Sequence, residues 1–310
     1  MINPVIYTNA YRIIKADKES GSLSHAYLVS CADESMLESY LIELSKLIVC
    51  DDYETASSTR DGMLIEKKAH PDVSFYPKEK KLSVVSADEI IAQSVIKPLE
   101  LSLRLFVLVK FEELAQYQNK LLKTLEEPPK NVILLMGTVN ENAVLPTVRS
   151  RSKALTVPLF SDERLFSVLR PDCPDEKKLS LSVSLSGGRL GEALRYYRAD
   201  YTEDLFDLAV GIMLKMTKAG DVLSYAARMK NFAVNEVIAA LKVVCGKALS
   251  GDEQYKNILN AYRPAVLIAI ADRLNKFEKT VNFNANATMV TDGVLFAVME
   301  EKSKWQRLSV

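Results

Sequence analysis

The stretch HAYLVSCADESMLE, His25 to Glu38, decides the fold class. Its first six residues have the length and apolar character of a buried strand. Beyond them Met36, Leu37, Tyr40, Leu41, Leu44, Leu47 and Ile48 keep helical spacing. Strand, loop and helix in that order open an α/β sheet, and the loop is where free backbone N–H groups and the helix dipole can hold a phosphate. A working phosphate loop reads G-x-x-x-x-G-K-[ST]: glycines let the backbone curl round the phosphates, lysine brings charge, and the hydroxyl meets magnesium. The eight residues in that place are CADESMLE, from Cys31. Side chains fill both glycine positions, Leu37 stands at the lysine position and Glu38 at the hydroxyl position. Asp33, Glu34 and Glu38 would repel a triphosphate beside a sheet of low dielectric, so no ATP is expected here.

Outward from this unit, RLFVLVKF (Arg104 to Phe111) and NVILLMGT (Asn131 to Thr138) read as further buried strands. HPDVSFYP and KLSVVS read as short extended segments before a helix opening at Ser86, and Ala56 to Lys68 as polar and irregular. AQYQNKLLKTLEE reads as an amphipathic helix stopped by Pro128 and Pro129. Nucleotide sites also need an apolar strand ending in a carboxylate pair. Here the strand ends in Lys110, and Glu112 and Glu113 come only after Phe111, so they are taken as solvated glutamates near a helix start. Beyond Phe160 the strands disappear. SDERLFSVL opens on a serine cap, a Ser-Gly-Gly turn separates the next two helices, and about four longer helices follow Glu203, broken near Lys218 to Gly220, at LSGDEQ and at NFNANA. The expected organisation is an α/β domain over 1–160, a small helical domain over 161–203 and a helical bundle over 204–310.

At 310 residues and 48% hydrophobic, the chain can build two or three cores. Lys plus Arg and Asp plus Glu balance at 40 each, so no net field holds a polyanion. Cys31, Cys50, Cys173 and Cys245 lie far apart, which argues against a disulfide framework and a structural zinc, and for a reducing compartment. No run approaches membrane-spanning length; a soluble, unprocessed, cytoplasmic chain is expected.

The segments LSHAYLVS, HPDV, QNKLLKTLEEPPKNVILLMGT, LPTVRSRS, SGGRLGEAL and NANATMVTDGVLFAVM stand in an order and spacing that resembles the delta-prime subunits of the bacterial DNA polymerase III clamp loader. The resemblance spans nearly the whole chain, and its most specific part is NKLLKTLEEPP followed by LPTVRSRS. It implies an AAA+ fold: a P-loop NTPase-like α/β domain with a parallel sheet, a helical lid, and an all-α collar through which five subunits close a ring. It implies a nucleotide-site-degenerate member that binds no ATP and is no enzyme on its own, in a ring with gamma/tau motor subunits and delta, serving the sliding clamp and primer-template DNA. By the same resemblance Arg151 matches the arginine of the Ser-Arg-Cys motif, which reaches the ATP and magnesium held by the adjacent motor subunit. A planar, permanently charged guanidinium suits that task, worth ~10³ to 10⁵ in rate for arginine fingers. Ser150 and Ser152 flank it, with Ser152 in place of the family's cysteine, and Arg149 is expected in a structural salt bridge.

Other departures bear on the same reading. Relatives carry a four-cysteine zinc module of which only Cys50 remains, so no metal is expected. GRLGEA puts Gly191 where motor subunits carry a nucleotide-sensing arginine, and Thr138 matches their γ-phosphate sensor but is expected only to cap its strand. The tripeptide His70 to Asp72 also occurs in J-domain co-chaperones, but there it joins two helices, whereas here it leads into an extended segment. His25 is read as a hydrogen-bonded structural residue. Lys120 and Lys123, one helical turn apart, offer a contact to DNA phosphates or a plain solvated face. Two other functional classes stay open at this stage: a stand-alone ATPase, and a ring scaffold without chemistry.

Overall fold

The computed structural model describes residues 4–78, 81–282 and 286–307. The chain divides into two compact units, Met1–Asp172 with Gly188–Gly191, and Cys173–Gly187 with Glu192–Val310. In the first unit the order is α1 (Asn9–Glu19), β1 (Ala26–Cys31), α2 (Leu37–Val49), α3 (Arg60–Glu66), β2 (Val73–Tyr76), α4 (Val84–Ser94) and β3 (Arg104–Leu108). A 3-10 stretch, Phe111–Leu121, then runs into α5 (Leu122–Glu126), followed by β4 (Val132–Thr138), α6 (Pro146–Arg149), β5 (Lys153–Val157) and α7 (Asp162–Leu169).

The five strands form one parallel sheet in the order β2-β3-β4-β1-β5. Parallel neighbours need crossovers, and helices on both faces bury the strands completely. Every residue of β3 and β4 is indeed buried. On one face Leu28, Phe106, Leu108, Leu134 and Met136 pack with Ala87 and Ile90 of α4 and with Phe111, Leu114 and Leu121 of the 3-10 stretch. On the other face α2 lies so close over β4 that a Cβ on Gly137 would sit 2.6 Å from Leu41 Cδ1 and 2.9 Å from Leu37 Cδ1. That glycine lets the helix following the Cys31 loop approach the centre of the sheet.

Several expected elements differ. Lys81 to Ser86 is no strand: the Ser83 hydroxyl accepts the Ser86 N–H and α4 starts at Val84, two residues before the expected opening. The polar stretch from Ala56 carries a helix, α3, because Thr59 caps it by accepting the Gly62 N–H at 3.1 Å. The amphipathic helix ahead of Pro128 is α-helical only over its last turn and 3-10 before that. Its tighter winding still buries Leu114, Gln118 and Leu121. Strand β5 and helix α1 are further elements, β5 at the sheet edge with Lys153, Ala154 and Thr156 exposed.

The second unit is all helical: α8 (Glu176–Ser186), α9 (Leu190–Arg198, whose first two residues belong with the first unit), α10 (Thr202–Lys215), α11 (Ala219–Met229), α12 (Val234–Leu249), α13 (Lys256–Ala261), α14 (Pro264–Asn282) and α15 (Ala287–Arg307). Asp175 caps α8 by accepting the Lys178 N–H at 3.0 Å, and left-handed Gly187 ends it. Leu181, Leu185 and Tyr196 share one hydrophobic core with Leu205, Ile212, Leu241 and Ile270. The residues on either side of the expected 203/204 boundary thus share one core. The expected break at NFNANA lies partly outside the described residues, at 283–285. The architecture is a parallel α/β domain with helical elements following it in the chain.

Candidate functional site

At the C-terminal end of β1 the loop that would hold a phosphate closes on itself. None of its residues from Cys31 to Leu37 has positive φ, so its amides do not form the concave nest that phosphate loops use. Cys31 is buried, which pushes its thiol up to about 11 and makes it a neutral packing group. Asp33 is 5% exposed, and its carboxylate accepts the Ser35 hydroxyl at 2.8 Å and the Gly191 N–H at 2.9 Å. Arg189 Nε donates to the Ala32 carbonyl at 3.2 Å. A Cβ on Gly191 would lie 1.8 Å from Ser35 Oγ, so a side chain at the position expected to lack an arginine would displace the Ser35 hydroxyl from Asp33. Leu37 is fully buried under the sheet, while Glu38 pairs with Lys68.

The strand ends beside the loop carry a balanced set of charges. Lys110 stands at the end of β3 in a left-handed conformation, φ 56°, and its ammonium pairs with Glu34; that hydrogen bond raises the lysine pKa. Glu34, Glu38, Glu113, Lys68, Lys78 and Lys110 line an open cleft of about 670 Å³. Each lysine there has its own carboxylate partner, Lys78 with Glu89. Glu112 departs from the solvated reading: Oε1 accepts the Val139 N–H at 3.2 Å and Oε2 is buried. Its carboxylate ties the 3-10 stretch to the end of β4. Thr138 is fully buried and its hydroxyl accepts the Asn140 N–H at 3.1 Å, which is the strand-capping role expected of it.

The arginine motif follows Pro146 at the first position of α6. Ser150 and Ser152 fold their hydroxyls back onto the Thr147 and Val148 carbonyls, 3.1 and 2.9 Å away. Arg151 is half-buried, with 36% of its side chain exposed; Nη1 donates to the Thr147 carbonyl at 2.9 Å and Nη2 lies 2.8 Å from Glu126 Oε1. Glu126, at the end of α5, was not singled out from the sequence, although it belongs to the LEEPP run that precedes the prolines. The salt bridge expected of Arg149 is not formed: among the described residues no carboxylate lies within 4.0 Å of it, and its Nε is buried without an acceptor. Lys120 pairs with Asp88 at 2.7 Å, whereas Lys123 is exposed, so the two lysines are not an equivalent pair.

Asp61, His70 and Glu100 bring ligand atoms within 4.8 Å of one another. They do not fit a cation. His70 Nδ1 accepts the Asp72 N–H at 3.0 Å, so the neutral ring carries its proton on Nε2, the atom facing Asp61 Oδ1 at 3.5 Å. A metal-bound imidazole needs the reverse, a free Nε2 lone pair with Nδ1–H donating. Glu100 is also held by both terminal nitrogens of Arg60. The role of the His-Pro-Asp tripeptide is structural. Asp72 is fully buried and accepts the amides of Leu99, Glu100 and Leu101 at 2.7, 2.7 and 2.9 Å, with Arg104 Nη2 at 3.4 Å. Burial alone would raise its pKa, but the three N–H donors and then Arg104 outweigh it, and the pKa is lowered.

The family model described as "DNA polymerase III, delta subunit" matches residues 6–160, half of the 310-residue chain. Among curated proteins, the gamma subunit of DNA polymerase III from Buchnera aphidicola subsp. Acyrthosiphon pisum is 25% identical over 154 residues, covering 48% of this chain and 43% of that protein. The delta' subunit from Escherichia coli is 23% identical over 270 residues, covering 84% of this chain and 80% of that protein. The chain spans about half the length of the gamma subunits it matches, 43% and 51%. Among solved structures, a gamma subunit-related protein of Thermotoga maritima superposes with a TM-score of 0.47 at 15% identity, covering 95% of this chain and 100% of the other. With residues 6–160, half of its length, matched by the family model, this chain belongs to the DNA polymerase III, delta subunit family.

Proposed function

We propose that this chain is a delta-prime-type clamp-loader subunit that holds no ATP of its own and supplies Arg151 to the ATP and magnesium of a neighbouring motor subunit. The observation that carries the reading is the closed loop: Asp33 occupies the Gly191 amide, and Leu37, Glu38 and Lys110 stand where a nucleotide site needs lysine, hydroxyl and carboxylate. Arg151 supports it from the other side. It lies partly exposed beside an exchangeable carboxylate, that of Glu126. In this reading 1–160 is the AAA+ domain, 161–203 the lid and 204–310 the collar of a hetero-pentameric ring with gamma/tau and delta. That cytoplasmic ring loads the sliding clamp on primer-template DNA, with Lys123 the freer of the two lysines toward DNA.

The test is reconstitution of the loader with Arg151→Ala. Clamp- and DNA-stimulated ATP turnover is expected to fall by ~10³-fold or more, with assembly intact. The ion pair of Arg151 with Glu126 favours a second reading, a ring scaffold in which the arginine stays at home; unchanged turnover with Arg151→Ala would establish it.

A further inference from the structure

Asp33 is an acid in the interior whose oxygens are both engaged, Oδ1 by the Ser35 hydroxyl and Oδ2 by the Gly191 amide. Gly191 is the second residue of α9, so its N–H is one that the helix leaves without an internal acceptor and that favours an anion. The same short segment is held a second time through Arg189 Nε on the Ala32 carbonyl, the residue before Asp33. It is fitted at its other end as well. Phe160 N–H donates to the Gly188 carbonyl at 2.9 Å, and a Cβ on Gly188 would lie 2.6 Å from the Phe160 carbonyl oxygen. One arginine and one buried carboxylate thus hold Arg189–Gly191 to the loop, and one backbone bond holds Gly188 to Phe160.

We propose that Asp33 is a built-in anion that replaces a bound phosphate. Its carboxylate, carried by the chain itself, keeps Arg189–Gly191 seated on the Cys31–Glu38 loop whether or not nucleotide is available. This rests on the reading that the loop is empty of ATP. Asp33 and Gly191 then act as positioning residues: they set the resting place of the Arg189–Gly191 segment. An isosteric amide at position 33 keeps the shape and loses the charge, and charge-assisted bonds are the strong ones.

Hydrogen exchange at the Gly191 amide of the full chain reads this directly. In the wild type the amide should exchange slowly and equally with and without millimolar Mg-ATP. Asp33→Asn should speed its exchange by about tenfold or more, while the amides of β1 and β4 keep their protection and report an intact fold. In Asp33→Ala, added formate should slow the amide again, a rescue that a purely shape-filling role would not give. If either variant proves too unstable to measure, the other carries the readout. Unchanged Gly191 exchange in folded Asp33→Asn, or Asp33→Ala indifferent to formate, would overturn the proposal. Equilibrium dialysis with labelled ATP on the same samples separates the two claims. ATP bound while Asp33→Asn still frees Gly191 refutes the empty loop and leaves the anion role standing; ATP unbound with Gly191 unmoved does the reverse.

Discussion

Two kinds of charge in the first unit are held in opposite ways. Asp33 and Asp72 are buried acids whose partners are backbone amides of distant segments, Gly191 for one and Leu99 to Leu101 for the other. Arg151 is a surface base whose carboxylate partner, Glu126, is half exposed. A buried carboxylate with backbone donors cannot exchange them without unfolding its surroundings, because either group left alone in the interior is costly. A surface ion pair is worth little and exchanges freely. The difference separates charges that build the domain from a charge available to another molecule.

That contrast can be broken at several points, from the largest effect downward. Arg151→Ala should act on turnover alone, about 10³-fold or more in the assembled loader, with the chain's own denaturation midpoint unmoved; Arg151→Lys should fail similarly, since an ammonium lacks the planar fork. On the buried side, Asp72→Asn should destabilise the isolated chain by about 3–5 kcal/mol in urea unfolding, because Arg104 is left buried without its counter-charge. The pH dependence follows in sign. The folded pKa of Asp72 is lowered, so its stabilisation is complete above the unfolded value of about 3.9 and is lost as pH falls below that toward the folded pKa. Acid titration of wild type against Asp72→Asn should show this loss only in the wild type. Met136→Ala, in the core of the central strand, should cost about 2–5 kcal/mol and serves as the gauge of an ordinary packing loss. Glu126→Ala should change stability by less than about 1 kcal/mol. A larger loss would mean that Arg151 belongs to the fold after all.

The parts of this architecture that could be read in the sequence are those with strong periodicity. The apolar runs of β1, β3 and β4 are buried on both faces, and α2 repeats its apolar stripe without interruption, so length and pattern sufficed. Strand β5 escaped because an edge strand buries only Leu155 and Val157. Helix α3 escaped because it is only seven residues long, its apolar residues Met63, Leu64 and Ile65 are consecutive instead of spaced by turns, and its start depends on one threonine cap. The 3-10 winding of Phe111–Leu121 keeps the spacing of an amphipathic helix, and spacing alone does not separate the two. The site divides similarly. Missing glycines and lysine at Cys31 to Glu38 were legible as absences, and Gly191 as a missing arginine. The bond joining Asp33 to Gly191 was not, since it links residues 158 positions apart. Nor was the buried, unpaired Nε of Arg149, expected in a structural salt bridge.

In the proposed function the Cys31–Glu38 loop is closed to nucleotide, which leaves Arg151 to serve an ATP elsewhere. Equilibrium binding of labelled Mg-ATP to the isolated 310-residue chain tests it most directly. No saturable binding should appear at micromolar ATP; saturable micromolar binding that depends on magnesium would place nucleotide in this loop and make the chain an ATPase-type subunit.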